Sequence, residues 1–170
     1  MKILRIFHVD DEPDRVSWVP EALRNAHYVK RPNFLPTEDR WEEEDDGKGR
    51  QTFRFVLREW GVDKQDVQLC YVLVNHEDLL KGDDLSNAVI VLDVMRTVGN
   101  ELQAVAPRHY ADLLAAKVSP EQIYLLTAYG GRLPFRAFPG LHKDHILEKP
   151  VDPGKIVGAL FSAMSEICHE

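Results

Sequence analysis

Five short runs with apolar centres, each bounded by turn residues, determine the predicted secondary structure of this chain. They are Ile3–Val9, Val67–Val74, Ala88–Leu92, Ile123–Leu126 and His145–Glu148. Short apolar runs separated by stretches with helical spacing are typical of buried parallel strands. The pattern therefore predicts an α/β fold with a five-stranded parallel sheet.

The stretches between these strands predict helices of unequal regularity. Pro20 interrupts the first helix, which should be kinked or start late. Another helix is predicted for residues 107–117, where a proline occupies the first turn. The last helix should begin at Pro153 with Asp152 as its N-cap. Glycine and proline in residues 129–142 predict a short or broken helix there.

Residues 28–66 are predicted to be an insertion between the first two strands. The acidic run at 42–47 is typical of a solvated loop. Residues 50–60 carry apolar side chains at i, i+3, i+4 and i+7, which predicts a short amphipathic helix packed on the parent domain. These apolar side chains are Phe53, Val56, Leu57 and Trp60.

Composition and charge narrow the possible functions. The 170 residues are most simply one domain, and the net charge of −7 argues against a nucleic-acid-binding surface. Cys70 and Cys168 have no metal-like spacing and are expected to be reduced thiols. The N-terminal apolar run is short and ends in acidic residues, so neither a signal peptide nor membrane insertion is expected. We therefore expect a cytoplasmic protein.

Four of the five predicted strands lead into short segments that contain a polar or charged residue. In chain order they are Asp10 and Asp11, Asp93, Thr127 and Ala128, and Lys149 and Pro150. Ligands of open α/β sheets bind outside the carboxyl ends of the strands. Three carboxylates, a hydroxyl and an ammonium group should therefore converge in one crevice.

The ordered set Asp-Asp, Asp, Thr-Ala and Lys-Pro resembles the receiver domain of two-component response regulators. The resemblance covers residues 2–26, 67–128 and 145–168. It implies a flavodoxin-like, doubly wound five-stranded parallel sheet of order 2-1-3-4-5 with helices on both faces. Residues 1–170 would then be a single, stand-alone and atypical receiver-like domain with its insertion at about 28–66.

The resemblance also implies a metal site and a nucleophile. Asp11 and Asp93 would bind Mg²⁺ directly, Asp10 would act through water, and the backbone carbonyl of Met95 would complete the protein ligands. Asp93 would accept a phosphoryl group from the phosphohistidine of a histidine kinase or phosphotransfer protein. The crowding of three carboxylates supports a divalent cation, because like charges repel without one.

Further residues would contact or modulate the phosphoryl group. Lys149 would supply a positive charge, and Thr127 and the amide of Ala128 would donate hydrogen bonds to its oxygens. The Lys149–Pro150 peptide bond would be cis, which would aim the lysine inward. Met95 and Tyr129 lie two residues after Asp93 and Thr127, respectively. Both side chains are bulky and would obstruct an attacking water molecule, so we expect slow loss of the phosphoryl group.

Two positions depart from the receiver pattern. No proline follows Asp93 in the stretch Val94 to Gly99, so the loop should take a different path. Ile146 occupies the position at which receivers carry a Tyr or Phe that swings inward on activation. We therefore expect the phosphorylation chemistry to be retained and its readout to be altered.

The leading interpretation is a phosphorelay switch rather than a turnover enzyme, with an unidentified output protein. A second interpretation is a phosphorylation-independent interaction module on the same scaffold. A third and weaker one is a metal-dependent phosphohydrolase with Asp93 as its nucleophile, for which no general acid or base is evident.

Overall fold

A seven-stranded mixed sheet runs through the centre of the computed structural model, which describes residues 1–31, 33, 41–98, 100–128 and 135–169. A separate two-stranded hairpin accompanies it. In chain order the strands are β1 (Lys2–Val9), β2 (Glu42–Asp45), β3 (Arg50–Trp60), β4 (Gln65–Val74), β5 (Ala88–Asp93), β6 (Met95–Val98), β7 (Glu101–Ala104), β8 (Ile123–Thr127) and β9 (Ile146–Glu148). The α-helices are α1 (Val19–Val29), α2 (Ala106–Ala115) and α3 (Pro153–His169).

The strand order in the main sheet is β2-β3-β4-β1-β5-β8-β9. The strands β4, β1, β5, β8 and β9 pair in parallel, whereas β2 and β3 are antiparallel additions at one edge. The α/β class and the mostly parallel sheet are thus as predicted, but the sheet has seven strands rather than five. Because the five parallel strands point the same way, their carboxyl ends meet at one edge of the sheet.

Two apolar cores lie on opposite faces of this sheet. Side chains of β1 alternate between them, since Leu4 and Ile6 face one core and Phe7 and Val9 face the other. Helices α1 and α3 contribute to the first core and contact each other, and α2 contributes to the second. Helices therefore cover both faces of the sheet, as predicted.

The helix starts follow the proline positions. A single 3₁₀ turn, Pro13–Arg15, precedes α1, which begins at Val19 immediately before Pro20. The first helix is therefore irregular and starts late, as expected for a chain with prolines at both places. Helix α3 begins at Pro153, also as predicted.

The prediction of a helix at residues 50–60 is wrong, because these residues form β3. Phe53, Phe55 and Leu57 alternate toward the core and are 4%, 1% and 0% exposed. Phe53 and Leu57 fit both a helical and a strand period, so the apolar spacing alone was ambiguous. Pairing with β4 satisfies the backbone groups along that edge of the parallel sheet, and this long-range term favours the strand.

The prediction of a loop at residues 42–47 is also wrong for residues 42–45, which form β2. This strand is entirely exposed and pairs with β3 from Glu42↔Arg54 to Asp45↔Gln51. The guanidinium of Arg54 lies 3.2 Å from Glu44 across the pair. Four carboxylates on an edge strand disfavour pairing with another chain, which is a common form of edge protection.

A hairpin that the sequence patterns did not predict follows Asp93. Strands β6 and β7 pair from Met95↔Ala104 to Val98↔Glu101. The buried Val94 connects the hairpin to the sheet and to α2, because its carbonyl accepts hydrogen bonds from the amides of Val105 and Ala106. The loop after the third parallel strand is thereby tied to the start of α2.

Residues 129–134 lie outside the described residues. The described remainder of the 129–142 stretch contains a single 3₁₀ turn, Phe135–Ala137, as expected for a proline- and glycine-rich connection. In the part of the chain that the structure describes, no helix combines the length and apolarity needed to cross a membrane.

Candidate functional site

Three carboxylates lie together at the carboxyl-end edge of the sheet. Asp10, Asp11 and Asp93 each offer an oxygen, and these oxygens lie within 4.8 Å of one another. The sheet register explains the cluster, because β1 and β5 are neighbours with Val9 paired to Leu92. The residues that follow these two positions must therefore emerge side by side.

Lys149 brings a positive charge to this cluster. Its Nζ lies 3.0 Å from Asp10 Oδ2 and 3.2 Å from Asp93 Oδ2. The Lys149 amide donates a 2.8 Å hydrogen bond to the carbonyl of Thr127, which ties the end of β9 to the end of β8. The peptide bond to Pro150 is cis, as the receiver resemblance implied.

The charges in the cluster perturb one another. Burial acts to lower the pKa of Lys149, but the carboxylates of Asp10 and Asp93 outweigh it and raise that pKa. Burial and the negative charge of Asp10 together raise the pKa of Asp93 to about 6, against the opposing effect of Lys149. A ligand that supplies positive charge would stabilise the ionised form of Asp93, so the site favours such a ligand.

Asp10 is the most enclosed of the three carboxylates, with 1% of its surface exposed. Its Oδ1 accepts a 2.9 Å hydrogen bond from the Glu12 amide, while Lys149 donates to its Oδ2. Both oxygens are therefore held from the protein side. This agrees with a role in which Asp10 contributes charge and orients other groups.

Two further residues, His8 and Tyr71, lie in contact beside Asp10 and were missed by the sequence analysis. His8 is fully buried, its Nδ1 lies 2.5 Å from the Tyr71 hydroxyl, and its Nε2 lies 4.0 Å from Asp10 Oδ2. Burial and the charge of Lys149 lower the pKa of His8 to about 3, so its ring is neutral. Burial and the charge of Asp10 raise the pKa of Tyr71 well above its usual value.

A signal for His8 was present in the sequence. A histidine lies in the apolar second half of β1, two residues before Asp10, and residues i and i+2 of a strand share a face. Tyr71 could not be found in this way, because its proximity depends on the pairing of β1 with β4.

The structure places Thr127 and Ala128 at the same edge, one strand further along. Thr127 ends β8 and is fully buried, and Ala128 is exposed. Because Asp93 pairs with Leu126, Thr127 lies one residue beyond the level of Asp93. Both predicted hydrogen-bond donors thus belong to the same rim as the carboxylates.

Met95, Ile146 and Pro150 are the remaining predicted site residues that the structure describes. Met95 begins β6 and is half-buried against the α2-side core. Ile146 begins β9 and is half-buried, and with Lys149 and Pro150 it lines an open cavity of about 490 Å³. Tyr129 lies outside the described residues, so its predicted modulating role stays a prediction.

The composition of the cluster determines which cations it can bind. Its three candidate ligands are all carboxylates, and hard cations such as Mg²⁺ prefer oxygen ligands and use one or two carboxylates together with water. A soft metal would be expected to recruit thiolate or imidazole ligands. The donor set therefore fits a hard divalent cation, a class that includes Mg²⁺, with Asp11 and Asp93 as the less enclosed ligands.

No model of a known protein family matches the sequence, and a search of curated proteins gives no significant match. The resemblance to receiver domains therefore depends on the residues and geometry described above.

Proposed function

We propose that this protein is a phosphoacceptor switch of the receiver type, which takes a phosphoryl group onto Asp93 in the presence of Mg²⁺. The observation that carries the proposal is the position of Lys149 Nζ, within 3.2 Å of an oxygen of both Asp10 and Asp93. With Asp11, these residues supply the charges that a phosphoryl-accepting carboxylate needs.

The topology supports this proposal. Taken alone, the parallel strands follow the order β4-β1-β5-β8-β9, which corresponds to the flavodoxin-like order 2-1-3-4-5. In this interpretation β2 and β3 are an antiparallel extension of a receiver sheet, formed by the insertion. The candidate site then lies at the switch point, next to β1 and β5, where such sheets bind ligands.

The proposed reaction is a direct phosphoryl transfer. An ionised oxygen of Asp93 attacks the phosphorus of a phosphohistidine, an acyl phosphate forms, and the P–N bond breaks with its electron pair leaving on the imidazole nitrogen. Little covalent assistance is required, because positioning and charge neutralisation account for most of the catalysis. The donor would be a histidine kinase or a phosphotransfer protein.

Each residue of the site has a part in this transfer. Asp11 and Asp93 would bind Mg²⁺, with Asp10 acting through water and the Met95 carbonyl as a further ligand. Mg²⁺ would neutralise charge on the transferring group. Lys149 would exchange its contact with Asp93 for a phosphoryl oxygen, and Thr127 and the Ala128 amide would donate hydrogen bonds to the others.

The readout is proposed to differ from that of an ordinary receiver. Ile146 has no polar tip to exchange between core and solvent, and it lies half-buried beside the open cavity. The phosphorylated protein would therefore signal through contacts of this surface with a partner, in the cytoplasm.

Bulky side chains at Met95 and Tyr129 would slow hydrolysis of the phosphorylated Asp93. The double variant Met95→Asn, Tyr129→Glu should therefore have a shorter phosphoryl half-life than the wild type.

A second candidate is a phosphorylation-independent interaction module. The antiparallel extension β2–β3 favours it, because this extension enlarges the sheet on the side away from the acidic cluster. The Asp10–Lys149–Asp93 contacts favour the switch instead, since buried charges are costly to keep without a task. A phosphohydrolase is less well supported, because His8 is enclosed rather than open to a substrate.

The deciding experiment is intact mass after incubation with acetyl phosphate and Mg²⁺. We expect a gain of one phosphoryl group that disappears in Asp93→Asn and in EDTA. The exposed Asp63→Asn variant is the matched control and should react like the wild type. No gain in a folded protein that also fails to bind Mg²⁺ would support the interaction module, and repeated turnover of a phosphoester would support the phosphohydrolase.

A further inference from the structure

The His8 ring has one nitrogen engaged and one nitrogen pointing toward the cluster. Its Nδ1 contacts the Tyr71 hydroxyl at 2.5 Å, and its Nε2 lies 4.0 Å from Asp10 Oδ2. Among the described residues, this fully buried Nε2 has no hydrogen-bond partner. A buried polar atom without a partner costs free energy, so its retention calls for an explanation.

The surroundings determine which nitrogen of His8 carries the proton. If Nδ1 carried it, the Nε2 lone pair would face the Asp10 carboxylate, and the proton of the Tyr71 hydroxyl would lose its acceptor. If Nε2 carries it, the hydroxyl donates to Nδ1 and the N–H dipole faces the carboxylate. The second arrangement satisfies more groups and is electrostatically favourable.

The gap between His8 and Asp10 is about one ångström longer than a hydrogen bond. Asp10 Oδ2 is at the same time 3.0 Å from Lys149 Nζ. Any step that draws Lys149 away from Asp10 would leave this oxygen short of a donor. His8 Nε2 lies 4.0 Å from this oxygen and on the same face of β1, so a shorter separation would let it donate a hydrogen bond in place of the lysine.

We propose that Tyr71 and His8 are positioning residues for Asp10, in which the Tyr71 hydroxyl fixes the His8 tautomer and His8 Nε2–H holds the Asp10 carboxylate in its cation-binding orientation. The inference rests on the proposed function in one respect, namely that the acidic cluster binds Mg²⁺. It goes beyond that function, because it assigns a Mg²⁺-affinity role to two residues that contact neither the cation nor the phosphoryl group.

The proposal predicts that Tyr71→Phe weakens Mg²⁺ binding. This change removes one oxygen, leaves the ring packing intact and frees His8 to adopt the other tautomer. Groups that orient a metal ligand typically affect metal affinity by 10-fold or more, so we expect the Mg²⁺ affinity to fall about tenfold. His8→Leu should cause a similar fall, and the double variant should bind no more weakly than His8→Leu alone.

The test combines calorimetric titration with MgCl₂ and long-range ¹H–¹⁵N NMR of the His8 ring. The wild type should show the Nε2–H tautomer, and Tyr71→Phe should shift the population toward Nδ1–H. Tyr28→Phe is the matched control, because the Tyr28 hydroxyl donates a 2.9 Å bond to Val56 and is remote from the cluster in the fold. It should lower stability and leave both the Mg²⁺ affinity and the His8 tautomer unchanged.

The possible failures are distinguishable. If the wild type binds Mg²⁺ and Tyr71→Phe and His8→Leu bind it equally well, the positioning role is overturned while the cation site stands. An Nδ1–H tautomer of His8 in the wild type would also overturn the proposed positioning role of Tyr71 and His8. If the wild type itself binds no Mg²⁺, both the proposed cation site and the positioning role of Tyr71 and His8 are overturned. Should His8→Leu not fold, Tyr71→Phe still decides the question.

Discussion

Lys149 Nζ lies 3.0 Å from Asp10 Oδ2, although 139 residues separate the two in the chain. Their strands are not neighbours either, since β5 and β8 lie between β1 and β9. At about 4.8 Å per strand, the lysine must reach back across the ends of two strands to make this contact. It passes close to Asp93 on the way, which explains why one ammonium group contacts two carboxylates.

Replacing Lys149 should destabilise the metal-free protein. In Lys149→Met the buried Asp10 loses its ammonium partner, and we expect a loss of roughly 2 kcal/mol in the free energy of unfolding. Mg²⁺ should recover much of this loss, because it supplies the missing positive charge. The measurement is urea unfolding in EDTA and in MgCl₂.

The control for this experiment is Lys155→Met, an exposed lysine that lines the same cavity. It should change stability by no more than about 0.5 kcal/mol in either condition. A loss in Lys149→Met that Mg²⁺ leaves untouched would argue against a cation in the cluster.

The raised pKa of Asp93 predicts a pH dependence of stability with a definite sign. Its folded-state pKa is about 6 against a usual value of 3.8, so between these values the folded state binds a proton that the unfolded state releases. The stabilisation that this bound proton gives to the folded state is present in full below about pH 4 and is lost as the pH rises through 6. Above that pH, the ionised Asp93 costs on the order of 2 kcal/mol in metal-free protein, after a discount for solvent screening.

Asp93→Asn should therefore be more stable than the wild type at pH 7.5 in EDTA and close to it at pH 4. Urea unfolding at the two pH values measures the difference. Addition of MgCl₂ at pH 7.5 should stabilise the wild type more than the variant, because ligand binding to the folded state adds to its stability. A destabilised Asp93→Asn at pH 7.5 would contradict the assignment.

A strand and a helix at residues 50–60 predict opposite effects on stability when Phe55 and Val56 are truncated. Phe55 is 1% exposed in the strand, whereas Val56 is half-buried on the other face. We expect Phe55→Ala to cost about 3–5 kcal/mol and Val56→Ala at most about 1 kcal/mol. In a helix with the predicted apolar face, Val56 would be the more sensitive of the two. Chemical denaturation of both variants distinguishes the two structures.

The turn between β2 and β3 depends on Gly49. Its φ of +102° is unfavourable for other residues, and a Cβ at this position would meet the side chain of the exposed Asn75, which would have to move. Gly49→Ala should therefore cost roughly 2–3 kcal/mol. Gly47→Ala is the control, because its φ of +66° is strained but nothing lies within 4 Å of the added carbon. It should cost about 1 kcal/mol, and an equal loss in both would show that the Asn75 contact has no effect.

The parallel strands and the three helices could be predicted because their signals are local. Each buried strand is a mostly apolar run, and Pro20 and Pro153 mark where helices begin or are delayed. The antiparallel strand β3 could not be predicted in the same way, since Phe53 and Leu57 suit either period. The hairpin β6–β7 is short, and its apolar pattern is too weak to detect.

From the sequence alone, one can determine which acidic, hydroxyl and basic residues end the buried strands, and therefore which side chains should meet. The reason is that the carboxyl ends of parallel strands lie at one edge of the sheet, so the residues that follow these strands in the chain lie close together. The tertiary structure decided what the chain pattern left open. Pairing with β4 made residues 50–60 a strand, and pairing of β1 with β4 placed the Tyr71 hydroxyl against His8. Such contacts depend on strand neighbours distant in sequence, which local spacing does not encode.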